Sequence, residues 1–140
     1  MTPELRAAFR TQLLTLAGLP AVAWQNRAFT PPNNAPWCKE ALLPGEGRYA
    51  AFGADGISNG AMQQVGIYQI TLVMPSGADT VAADTLADRI ISLFRPGTRL
   101  TMSTGDVITC ENAWASPSQQ EPTGFSLPVS VRYRFFRLNT

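Results

Sequence analysis

Acid–base, nucleophilic and metal chemistry near neutral pH lean on histidine, and this chain has none. A Ser-His-Asp or Cys-His unit is therefore impossible. A zinc site asks for about four ligands. Cys38 and Cys110 would have to recruit carboxylates whose spacing does not suggest a site. Asp84 and Asp88 stand one helical turn apart and could be cast as paired carboxylates. Thr85 and Ser92 beside them mark that side of the helix as a solvated face instead. Gly53-Ala54-Asp55-Gly56 has the glycines of a phosphate cradle, but lacks the Lys-Ser/Thr ending and the following helix. No residue is assigned to catalysis, to a metal or to a cofactor, and an enzyme is the weakest of the broad classes.

Arg132, Arg134 and Arg137 carry more. Arg132 and Arg134 alternate onto one face of a strand whose other face is apolar, with Phe136 beside them. Such a surface can meet a protein partner or a nucleic-acid backbone. It is equally the solvated side of an amphipathic strand. Among the aromatic residues, Trp24 and Trp37 read as core at strand ends. Phe29, set between polar residues, reads as an interface anchor.

These side chains need a scaffold, and its centre is Gly66–Phe94. Tyr68, Ile70, Leu72 and Met74 share one face while Gln69 and Thr71 take the other, which is a strand with one dry side. Pro75-Ser76-Gly77 ends it. Asp79 or Thr80 can then cap a helix carrying Ala82, Leu86, Ile90 and Leu93 along one stripe, joined by Ala83, Ala87 and Phe94. Arg95-Pro96-Gly97 stops that helix. An earlier helix starts at Thr2-Pro3-Glu4, packs Leu5, Phe9, Leu13 and Leu16, and closes at Gly18; Leu14 points the other way.

Short strands are expected at Ala21–Trp24, Trp37–Leu43, Arg48–Phe52, Thr98–Met102 and Val107–Ala113. Pro44-Gly45 should separate the second from the third. Arg48–Phe52 should pair antiparallel with Gly66–Met74 across the polar loop Gly53–Val65, with its hairpin signal Asn59-Gly60. Ser116–Thr123 reads as a second polar loop. The last strand alternates Phe125, Leu127, Val129, Val131, Tyr133 and Phe135 against Ser126, Pro128, Ser130, Arg132, Arg134 and Phe136. Pro128 suggests that its first part runs along an edge. The expected fold is α+β: one domain over residues 1–140, a mostly antiparallel sheet with two helices on one face.

Composition agrees with that size and excludes other classes. The 140 residues hold eleven Lys+Arg against ten Asp+Glu, a formal charge of +1, so no global field points to nucleic acid or acidic lipid. Lys39 is the one lysine and the other bases are arginine, a bias toward interfaces. The opening Met1-Thr2-Pro3-Glu4-Leu5 is no signal peptide, and no apolar run nears the roughly 18 residues of a membrane helix. A soluble protein made in a cytoplasm, not in contact with membrane, is the expectation. Cys38 and Cys110 read as buried reduced thiols, with a disulfide between them as the alternative.

The run Ala23-Trp24-Gln25-Asn26-Arg27-Ala28-Phe29-Thr30-Pro31-Pro32, then Ala35-Pro36-Trp37, Gly66-Ile67-Tyr68-Gln69-Ile70, Pro75-Ser76-Gly77 and Ala87-Asp88-Arg89-Ile90, resembles the tail terminator (tail completion) proteins of long-tailed phages and prophages. The likeness runs from Trp24 to the final strand. It departs at Ala54–Gln64, longer and more hydrophobic than the family pattern at Ile57 and Met62.

The resemblance implies an α+β subunit of the virion, made in the host cytoplasm and ending at the tail–head junction. Such subunits close head to tail as a homo-oligomer, a hexameric ring. That ring caps the tail tube protein, stops tube growth and offers a face to a head-completion or connector protein. DNA threading such a lumen would make no sequence-specific contact. Under this reading Arg48, Tyr49 and Phe52 and the final strand's Arg132, Arg134 and Phe136 supply part of the ring contact. The Gly53–Val65 loop, with Ile57, Asn59 and Met62, reaches a neighbouring ring or the tube. The alternatives are a head–tail connector (neck) or tail-tube subunit, a small hydrolase using Asp84 and Asp88, and a nucleic-acid module using Arg132, Arg134 and Arg137.

Overall fold

The computed structural model describes residues 2–32, 34–53, 56–77, 80–121 and 124–138, with side chains throughout these ranges except at 2, 46–53, 56–62, 121, 137 and 138. The elements run α1 (Thr2–Leu13), β1 (Ala21–Ala23), β2 (Trp37–Gly53), β3 (Gly56–Pro75), α2 (Thr80–Leu93), β4 (Arg99–Thr101), β5 (Val107–Ala115), β6 (Gln119–Glu121) and β7 (Gly124–Leu138). The strands form one sheet in the order β1-β2-β3-β7-β5-β4, with β6 also on β7. Among the described residues β1–β2 is the one parallel pair, and the other pairs are antiparallel. Both helices lie on one face, as the alternation requires: the dry side of each long strand must be covered by something apolar.

That covered face is the core. Tyr68, Ile70, Leu72 and Met74 of β3 and Leu127, Val129, Val131, Tyr133 and Phe135 of β7 are buried against Leu5, Phe9 and Leu13 of α1 and Ala83, Ala87 and Ile90 of α2. Phe9 is the hub, fully buried, stacked 4.5 Å from Tyr68, edge-on 5.3 Å from Tyr133 and 5.8 Å from Phe94. The buried stripe of α2 is centred one position further along than the sequence pattern suggests, since Ala82 is exposed and Leu86 and Leu93 half-buried. Leu14 stands 62% exposed, opposite the α1 stripe. Gly66 makes a close approach possible: a Cβ there would lie 2.7 Å from Tyr133 Cζ and 2.8 Å from the Leu43 carbonyl oxygen. Tyr133 fills the space that a side chain would need.

Several expectations about the strands are corrected. Pro44-Gly45 does not end a strand; β2 continues to Gly53 with its register shifted between Pro44 and Gly47, a bulge that absorbs the residues the ladder cannot use. Gly66–Met74 consequently pairs with the first part of β2, Pro44 to Trp37, whereas Arg48 faces Gln63. Gly56–Val65 is strand and not loop, and Asn59-Gly60 is not the turn, because it lies within β3 and Gly53 already pairs with Gly56. Within Ser116–Thr123, Gln119–Glu121 forms β6. Ala54, Asp55 and Asp79 lie outside the described residues.

Pro128 does not lie at a sheet edge, since β7 runs between β3 and β5. Its carbonyl accepts from Ser116 N–H at 2.9 Å. A residue's N and C=O point to the same side of a strand, so the missing donor faces 116–118, where neither β5 nor β6 is laddered to it. Proline costs no ladder bond there.

Candidate functional site

A buried polar cluster pins α1 to β2. Glu40 sits on the inward side of β2 between Cys38 and Leu42, 4% exposed. Arg10 from α1 grips it, with Nη2 2.6 Å from Oε1 and Nε 2.9 Å from Oε2. The Tyr68 hydroxyl donates to Oε2 at 2.5 Å, and Gln25 N–H donates to Oε1 at 3.3 Å. Arg6 Nη1 stands 3.7 Å from the same carboxylate and donates to Gln25 Oε1 at 2.5 Å. The Arg10 guanidinium also lies 5.0 Å over the Trp24 ring. Burial pushes the Glu40 carboxyl up, but the bonds from Arg10, Tyr68 and Gln25 outweigh it and hold it below the usual range. Burial and the bond to Glu40 push the Tyr68 phenol far up.

This cluster is not a reaction centre. Both carboxylate oxygens are engaged, so Glu40 has no free lone pair aimed at a substrate. Asp84 and Asp88 are exposed on α2. Among the described residues no three of His, Cys, Asp and Glu gather as metal ligands, and no helix is long and apolar enough to cross a membrane. Cys38 and Cys110 are free and buried, and burial raises their pKa values to about 12 and about 11. They stand on β2 and β5 with two strands between. That is about 14 Å at ordinary strand spacing, beyond the reach of a disulfide.

Among the described residues, no helix lies on the second face of the sheet. Rows across it follow from the register: Leu43, Ile67, Arg132 and Asn112 form one, and Ala41, Gln69, Ser130 and Trp114 the next. Leu43 is 48% exposed, Phe136 49% and Val107 40%. The described outward positions of β2, β3 and β7 include the cations Lys39, Arg132 and Arg134 and no acid. Arg134 is half-buried between Val65 and Thr109, and its Nε has no hydrogen-bond partner among the described residues. Gln69 Nε2 donates to Ser130 Oγ at 3.4 Å, closing the polar gap between β3 and β7. The face is thus apolar patches interleaved with cations, a composition suited to contact with another macromolecule.

Arg132, Arg134 and Phe136 therefore sit together, on the open face of an interior strand. Phe29 lies elsewhere, 5.1 Å from Trp37 at the far end of that face. Trp37 is correspondingly half-buried against Phe29 and outside the helix-side core. Arg48, Tyr49 and Phe52 of β2 and Ile57, Asn59 and Met62 of β3 lie along a hairpin arm, and their side chains are outside the described set. β7 accompanies that arm as far as Ala61, paired with Leu138. From Gly66 to Gly56 the arm is about 33 Å long at strand rise. Sequence reasoning missed the Glu40 cluster, though Glu40 alternates inward with Cys38 and Leu42.

The family profile of the phage tail terminator proteins matches residues 4–133, nearly the whole chain. The chain belongs to that family. Its role is accordingly that of a structural component of a phage tail, a virion protein. A solved structure 23% identical in sequence superposes with a TM-score of 0.74, over 96% of this chain and 95% of its own. That likeness supports the terminator-type fold, two helices over a mostly antiparallel sheet. No curated protein matches the sequence.

Proposed function

We propose that this member of the tail terminator family closes into a hexameric ring on the head-proximal end of the tail tube, stops tube polymerisation, and presents a docking face to the head-completion or connector protein. The observation that carries this reading is the division of labour in the fold. One face is sealed by helices, while the other leaves Leu43, Phe136, Val107, Arg132 and Lys39 exposed. A hairpin arm runs on from that sheet beyond the helix-covered rows. A ring seated on a tube needs lateral contacts within itself and axial contacts to its neighbours above and below, and a sheet with a projecting arm offers both. The open face with Arg132, Arg134 and Phe136 takes the tube or connector partner, and the arm reaches along the axis toward the next ring.

Electron microscopy of particles assembled without this protein tests the reading. Over-long tails are the expected result. Headless tails of normal length would assign it to joining and not to termination.

A further inference from the structure

Arg132 and Arg134 stand two residues apart on β7, on the side opposite buried Val131, Tyr133 and Phe135. At strand rise their Cα atoms are about 7 Å apart. Arg99 of β4, placed outward by the alternation that buries Leu100, ends the row of Val65, Arg134 and Thr109. These like charges are not balanced among the described residues of the subunit. The ion pairs between described residues run to Glu40, on the helix-covered face. Glu111, in the bulge between Cys110 and Asn112, makes no ion pair with a described residue. Asp106 accepts the Thr104 hydroxyl at 2.8 Å. Around the two arginines the face is apolar: Leu43 and Ile67 share the row of Arg132, Val65 adjoins Arg134, and exposed Phe136 follows on β7.

Clustered guanidiniums call for oxyanions, and each guanidinium can take both oxygens of a carboxylate. Arg10 holds Glu40 in that way. Two kinds of macromolecule could bring oxyanions here. A nucleic-acid backbone would engage the cations and leave Leu43, Ile67 and Phe136 without a partner. The subunit's formal charge of +1 adds no general field to hold a polyanion. A protein surface carrying acids among apolar side chains satisfies both halves of the face at once. We infer that the open face recognises an acidic, apolar segment of a partner protein, in which two carboxylates engage Arg132 and Arg134 while neighbouring apolar side chains cover Leu43 and Phe136. The required spacing of about 6–7 Å is met by acids at i and i+4 of a helix or at i and i+2 of a strand. The inference rests on the tube or connector docking proposed above and names the chemistry of what docks.

Carbodiimide coupling tests it, because the reagent joins a lysine amine to a carboxylate in direct contact. Arg132→Lys and Arg134→Lys, in separate variants, keep the charge and add one amine each beyond Lys39, the one natural lysine. Complete particles are coupled and the joined peptides identified by mass spectrometry. At least one variant should link to an Asp or Glu of the tube or connector protein. Arg132→Gln with Arg134→Gln, its fold checked by circular dichroism, should weaken retention on tails or heads roughly tenfold. Undiminished retention would overturn the inference. So would a link to Asp84 or Asp88 of a second copy, which stand exposed one turn apart on α2, since the face would then be a contact between copies. DNA held by the protein and lost with the double Gln variant, with no carboxylate linked, would overturn it as well. A photo-crosslinking residue in place of Phe136 separates the two levels. Capture of tube or connector protein without any carboxylate link would sink the acidic partner and keep the docking face; capture of neither would sink the docking face itself.

Discussion

Arg10 reaches from α1 through the core to place its Nη2 2.6 Å from Glu40 Oε1 on β2. A buried ion pair adds little net stability against an apolar substitute, but breaking one side of it costs about 3–5 kcal/mol. Glu40→Leu should therefore lose about that much in urea unfolding, since Arg10 and the Tyr68 hydroxyl are stranded. The triple variant Glu40→Leu, Arg10→Met, Tyr68→Phe should be less destabilised than Glu40→Leu alone. Equal or larger loss in the triple variant would mean that the charges contribute more than their own desolvation.

The same groups set a pH profile. Glu40 is held below its ordinary value of 4.5 in the fold, so its contribution is present above about that pH and lost as pH falls through the lower folded value. The thiols act with the opposite sign. Cys38 and Cys110 are raised from 9.0 to about 12 and about 11, so their contribution is intact below pH 9 and is lost as pH rises. Each removes about 1.4 kcal/mol per pH unit once the unfolded thiol ionises and the folded one does not. Unfolding free energy should stay flat between about pH 5 and 8 and then fall by up to about 2.7 kcal/mol per unit between about 9 and 10, below the range in which the Tyr68 and Tyr133 phenols, also raised by burial, add to the slope. Cys110→Ala should halve the slope between about pH 9 and 10, which denaturant titration at stepped pH would read.

Much of this was legible because it is periodic. The alternation of Tyr68 to Met74 and of Leu127 to Phe135, and the stripe of Phe9 and Leu13, place the core directly. The arm was not legible because its conformation is set from outside the segment. Asn59-Gly60 is a strong local turn signal, yet Ala61 to Val65 are held extended by Leu138 to Arg134 on β7. A partner strand more than 65 residues away outweighs a two-residue preference. Pro44-Gly45 loses its role as a break for the same reason. The open face was half legible: alternation put Arg132, Arg134 and Phe136 together, but only the strand order shows Leu43 and Trp114 in the adjoining rows.

Gly66 gives a sharp packing test. Gly66→Ala would put a methyl group against the Tyr133 ring and the Leu43 carbonyl, and overpacking of this kind costs about 1–3 kcal/mol. Adding Tyr133→Phe removes the hydroxyl but leaves Cζ and the Leu43 oxygen in place, so thermal unfolding should show at most partial rescue. Complete rescue would locate the strain in the hydroxyl alone.

The open face should separate folding from assembly. Arg132 and Phe136 are exposed, and exposed substitutions away from caps and strained backbone usually shift stability within about 0.5 kcal/mol. Arg132→Glu with Phe136→Ser should accordingly leave the subunit's unfolding midpoint almost unchanged. It also reverses one charge and removes one aromatic side chain on a face that bears Lys39 and Arg134. If this face receives the tube or connector, complementation by the variant should yield few complete particles despite normal amounts of soluble protein. The defect should lie in docking, seen as loss of co-purification with tails in electron microscopy and blotting. Full complementation by this variant would remove the open face from the assembly interface and leave the arm as the surface that acts.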